Sequence, residues 1–186
     1  MMEWHTVKCE IVESFNDYVP PVPVGAIVRD LLRCVKPGYI GGLASVVITN
    51  GAALSRKERR RSTRSQHHKV MLSERRGYYQ PASHDSEAAI QLRADLIIPR
   101  KWAESPNCLA DPLLYRLVFA LVLYHEIGHH IHFTNKPEKG EIERIANKHM
   151  YQLVRRMLFK RWYLIPLALV GMIPALIRQV WRPRTD

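Results

Sequence analysis

Residues 121–135 read LVLYHEIGHHIHFTN, an apolar run that ends in four histidines and one glutamate. Asp111-Pro112 offers a helix start, with Asp as N-cap and Pro at the first helical position. Apolar residues then continue from Leu113 to Ile131, so the spacing predicts one long helix. Within it His125-Glu126-Ile127-Gly128-His129 is an HExxH motif. Residues four apart on a helix lie one turn above each other on one face, so His125 and His129 can take adjacent corners of a tetrahedral Zn²⁺ site. Glu126 points aside from that pair, where it can reach a metal-bound water and serve as general base.

A catalytic zinc site needs a third protein ligand. Asn135-Lys136-Pro137 breaks the helix, and a second is expected from about Glu138 to Arg161, carrying GEIERIANKHM at 140–150. Glu143 is the favoured third ligand, because Ala146 one turn on permits close helix approach and the amide of Asn147 suits the orienting of a ligand. Glu141 is the competing carboxylate. His132 is the alternative third ligand, although the HExxHxxGxxH pattern is incomplete, with Asn at 135. His130 is expected on the solvent side.

Upstream, Pro20, Pro21 and Pro23 lead into a short helix, Val24 to Val35, with Ile27, Val28, Leu31, Leu32 and Val35 on one face. Lys36-Pro37-Gly38 ends it. Leu43 to Thr49 is rich in β-branched residues and closes on Asn50-Gly51, so a strand is expected there. Further strand pieces fall at Val70-Met71-Leu72, at Gly77-Tyr78-Tyr79 and in the alternating stretch Ala88 to Ile98, which Pro99 stops. Between them, residues 56–69 hold seven Lys or Arg and no apolar period, which predicts an exposed basic loop.

The chain of 186 residues is long enough for one domain with a sizeable core. Its formal net charge of +11 points to acidic partners: nucleic acid through 56–69, or an anionic membrane face. The three cysteines, Cys9, Cys34 and Cys108, form no CxxC pair and predict a reducing compartment. The first residues lack the pattern of a secretory signal, so a cytoplasmic location is expected. Residues 162–186 begin with an apolar segment, Trp162 to Ile177, flanked by Lys160, Arg161 and Arg178. It is short for a span and interrupted by Pro166 and Pro174, so it is expected either to pack on protein or to anchor at a membrane interface.

HEIGH followed by ExxAN, with the upstream GYYQP and AAIQL segments, resembles the ImmA/IrrE-type family of small zincin-like metallopeptidases, and more distantly the HtpX-type membrane metalloproteases. The resemblance spans about residues 25 to 160. It implies a compact α/β (α+β) zincin-like domain at 1–161, a small mixed sheet packed on the HExxH helix, and zinc held by His125, His129 and Glu143. It also implies Glu126 as catalytic acid/base and a protein or peptide as substrate. The chain departs from the family at His149-Met150 and in its apolar C-terminus. An oxyanion-stabilising group is expected among His149, Tyr151, Tyr78 and Tyr79. The rival reading is a non-catalytic zinc-containing regulator that binds nucleic acid, and a third is a membrane-anchored protease.

Overall fold

The computed structural model describes residues 9–60, 62–65, 68–84, 86–98, 112–134 and 141–160. The first strand, β1 (Glu10–Ser14), is one the sequence pattern does not announce. It is short and largely solvent-facing, so no apolar alternation marks it. Helix α1 (Val24–Leu32) follows, burying Val24, Ile27, Val28, Leu31 and Leu32 as the spacing predicts and stopping three residues short of Val35. Strand β2 (Leu43–Thr49) has its expected bounds and runs parallel to β1. Parallel neighbours need a crossover, and α1 lies within this one.

Residues 56–69 correct the expectation of an unstructured loop. Helix α2 (Arg56–Arg60) is followed by a hairpin of β3 (Ser62–Ser65) and β4 (His68–Met71). The helix has a local cause in Ser55-Arg56-Lys57-Glu58, a capping box. The Glu58 N–H donates to Ser55 Oγ at 3.2 Å, and the Ser55 N–H donates to Glu58 Oε2 at 2.8 Å. The hairpin is a backbone ladder, which forms without the apolar alternation that a strand facing a core requires. It stays separate from the main sheet.

Strands β5 (Gly77–Gln80) and β6 (Ala88–Arg93) complete that sheet, whose order is β1-β2-β6-β5. β6 is parallel to β2 and antiparallel to β5, so the sheet is mixed, with β1 and β5 as its two edge strands. The alternation expected up to Ile98 ends at Arg93, where a single turn, α3 (Ala94–Ile97), takes over. Arg93 is buried there, with its guanidinium on Asp95 at 2.8 and 2.9 Å and on Ser73 O at 3.0 Å.

Helix α4 (Pro112–Thr134) carries the HExxH motif and runs three residues past Ile131; the proposed cap Asp111 and the break at 135–137 lie outside the described residues. Its middle is buried on every side, from Val118 through Ile127, because it packs on β5 and β6, on α1 and on α5. A helix so enclosed is apolar all round, with no polar stripe. Helix α5 (Ile142–Lys160) begins four residues later than predicted. With five helices among the described residues beside a four-stranded mixed sheet, the architecture is α+β.

No helix among the described residues is long and apolar enough to cross a membrane. The apolar segment at 162–186 and Cys108 lie outside those residues.

Candidate metal centre

Two local features bring α5 against the motif. Gly128 faces Ala146, and a Cβ built on Gly128 would stand 2.6 Å from Ala146 O and 2.8 Å from its Cα. The helices cross closely because neither side chain keeps them apart. Glu143, three residues before Ala146, and Asn147, the residue after it, are then delivered by α5 to the face that carries His125 and His129.

His125 Nε2 lies 3.1 Å from His129 Nε2 and 3.3 Å from Glu143 Oε2, and His129 Nε2 lies 3.8 Å from the same oxygen. These three residues can hold a metal ion, their ligand atoms all falling within 4.8 Å of one another. Asn147 Oδ1 can only accept, so His125 Nδ1 donates to it at 3.0 Å. That bond leaves the Nε2 lone pair of the neutral imidazole facing the cluster. Glu141, the competing carboxylate, is exposed and outside the group. His132 is buried yet also outside it.

The electrostatics of the cluster without metal divide its two imidazoles. Burial opposes charge on His125, but the Glu143 hydrogen bond, the charges of Glu126 and Glu143, and Asn147 together raise its pKa. Burial and the neighbouring His125 lower that of His129 to about 4. The hydrogen bond from His125, against the opposing effect of burial and with the charge of His129 assisting, holds the Glu143 carboxyl below its usual range. A neutral imidazole and an ionised carboxylate are the forms that bind a cation.

Glu126 is 5% exposed, and its carboxylate lies against the edge strand at Gly77. The Arg93 N–H donates to Arg76 O at 2.8 Å, which makes 76 and 93 a hydrogen-bonded pair and leaves Gly77/Leu92 and Tyr79/Ile90 as non-hydrogen-bonded pairs. The N–H and C=O groups of Gly77 and Tyr79 therefore point off the sheet edge, and the Tyr79 backbone acts to lower the Glu126 pKa. Burial raises the Glu126 pKa, partly offset by the charges of His125 and Arg75. Gly77 is glycine for a steric reason: a Cβ there would lie 2.8 Å from Glu126 Oε1 and 2.7 Å from Val122 Cγ1.

His130 corrects another expectation. It is 0% exposed rather than solvent-side, because the helix face it occupies is covered by β5 and by the turn before β2. Its Nε2 donates to Gly41 O at 3.0 Å, and its Nδ1 accepts from the Tyr79 hydroxyl at 3.1 Å. Tyr79 is thereby committed to His130, while Tyr151 is half exposed and His149 stands edge-on to Tyr39. Tyr79→Phe leaves the buried His130 Nδ1 without its donor and is expected to cost about 1–3 kcal/mol. Urea unfolding checks this, and a midpoint equal to that of the wild type contradicts the pairing.

Sequence reasoning missed Gly77, Gly128, His130 and Arg75. The positive charge of Arg75 acts on Glu126, His129 and Glu143. Only Gly128 carried a usable signal, as the small residue inside the motif opposite Ala146. Comparison with known proteins gives no match to a family model, a curated protein or a solved structure.

Proposed function

We propose that the protein is a zinc-dependent peptidase with a zincin-like core, in which His125, His129 and Glu143 hold the metal and Glu126 is the general base. The observation that carries this reading is the spacing of the three ligand atoms, 3.1, 3.3 and 3.8 Å. A tetrahedral zinc with bonds of about 2.0–2.1 Å sets its ligands about 3.3–3.4 Å apart. Two nitrogens and one carboxylate oxygen fill three corners and leave the fourth for water, the ligand number of catalytic rather than structural zinc. The HEIGH and ERIAN segments support an ImmA/IrrE-like assignment on the same residues.

When bound, zinc acidifies a coordinated water and polarises the scissile carbonyl. Glu126 takes the proton of the attacking water and delivers it to the amine nitrogen as the C–N bond breaks. Its burial favours that role, since a raised pKa makes it a stronger base. The edge of β5 suits an extended protein or peptide substrate, which can add to a sheet edge through main-chain hydrogen bonds.

The purified chain is expected to contain about one zinc per molecule, and to lose both metal and peptide hydrolysis on chelation. His129→Ala removes one of three ligands and is expected to lose most of the zinc, as measured by elemental analysis. Full zinc retention in that variant, or no cleavage of a mixed peptide library by the zinc-loaded wild type, overturns the reading.

A further inference from the structure

Arg75 has a placement that the fold does not explain. It follows the single 3-10 turn Leu72–Glu74, which its own N–H closes on Leu72 O at 3.2 Å, and stands two residues before Gly77. Its side chain is partly buried, and its Nη2 is shut off from solvent with no hydrogen-bond acceptor. Among the described residues no carboxylate makes an ion pair with it. Leaving a cationic donor dry and unbonded is costly, and such a group calls for a ligand.

Arg93 shows what the same side chain does in this protein when its role is structural. It is 6% exposed, and Nε, Nη1 and Nη2 all bond to Asp95 or Ser73 O. Arg75 differs in that respect. Its charge reaches Glu126, Glu143 and His129, the base and two of the metal ligands, yet it pairs with neither acid. The strand it leads into touches Glu126 at Gly77. A guanidinium kept near two carboxylates but bonded to neither retains its planar fork of donors for an incoming oxygen anion.

We propose that Arg75 is the anion-binding group of this site, receiving a negatively charged oxygen of the substrate beside Glu126 and the His125/His129/Glu143 cluster. The proposal rests on the hydrolytic reading. The oxygen has two sources with the same chemistry. When water adds to the scissile carbonyl, its oxygen bonds to carbon, its proton goes to Glu126, and the C=O π pair moves onto the carbonyl oxygen, which Arg75 then stabilises. The pair returns as the C–N bond breaks and the proton passes from Glu126 to nitrogen. The second source is the C-terminal carboxylate of a short peptide, which Arg75 holds throughout.

The test uses the zinc-loaded full chain as wild type, Arg75→Met and Arg75→Lys, with zinc content and thermal midpoint measured for each. Inorganic phosphate, a tetrahedral oxygen anion, is titrated by calorimetry. Arg75→Met is expected to bind it on the order of tenfold or more weakly at equal zinc content, and Arg75→Lys to recover part of the loss, having charge without the fork. Equal phosphate affinity in the wild type and Arg75→Met, or no phosphate binding by the wild type, overturns the proposal. Peptides with free and amidated C-termini separate the sources. If Arg75 stabilises the carbonyl oxygen, Arg75→Met lowers kcat about 10²–10³-fold on both kinds with KM little changed. If it holds the terminal carboxylate, Arg75→Met raises KM on free peptides alone, and unchanged kcat and KM on both kinds overturns the proposal. If the wild type cleaves neither kind, the hydrolytic reading fails, while the phosphate comparison still decides whether Arg75 binds anions.

Discussion

Gly128→Ala is expected to destabilise the protein by about 2 kcal/mol and to strip most of its zinc. Two effects oppose each other. Alanine in a helix interior gains about 1 kcal/mol over glycine in intrinsic propensity. Against this, the new Cβ would sit 2.6 Å from Ala146 O, 2.8 Å from its Cα and 3.0 Å from its carbonyl carbon. All three are backbone atoms, so no side-chain rotation relieves the contact and α5 itself must move. The clash therefore wins. Because Glu143 and Asn147 lie within one turn of Ala146, the same displacement opens the 3.3 and 3.8 Å spacings at the metal site. Urea unfolding with and without a chelator, together with elemental analysis, measures both effects. Gly38→Ala is the control, since nothing stands within 4 Å of its Cβ position. Wild-type stability and zinc content in Gly128→Ala would show that the helices do not cross at this residue.

Glu126→Gln is expected to keep its zinc and lower kcat by about 10²–10⁴-fold. Glutamine has the shape of glutamate, so the close fit against Gly77 of β5 survives. What it cannot do is carry a proton between water and the leaving amine. Its thermal midpoint should not fall, because a neutral amide costs less to bury than a carboxylate whose pKa burial already raises. Zinc loss equal to that of His129→Ala would mean that Glu126 is a ligand rather than the base, and undiminished turnover would remove it from the chemistry.

The sequence alone was enough to read the residues governed by local geometry. His125 and His129 share a face because a helix repeats every 3.6 residues, and Glu143 and Asn147 are one turn apart for the same reason. The burial of α1 and the bounds of β2 follow equally from short-range patterns. Ser55 and Glu58 belong with them, since their capping box is written in four consecutive residues, although the run of charge beside it hid the helix. Glu143 was already favoured over Glu141 from Ala146 and Asn147 one turn on, and the close crossing at Gly128 and Ala146 is what brings it to the histidines.

The surroundings of Glu126 were decided by tertiary structure. β5 is about fifty residues from Glu126 in the chain, and only the antiparallel register on β6 turns the Tyr79 N–H off the sheet edge and sets position 77 where a Cβ would crowd Glu126 and Val122. His130 is one residue from His129, yet its partners are the Gly41 carbonyl and the Tyr79 hydroxyl, neither of which local spacing can locate. Arg75 looks like one more cation in a basic stretch until the turn before β5 brings its charge to the cluster. Helical periodicity fixes which side chains share a face, but what that face meets depends on strand order and register, which bring together residues far apart in the chain.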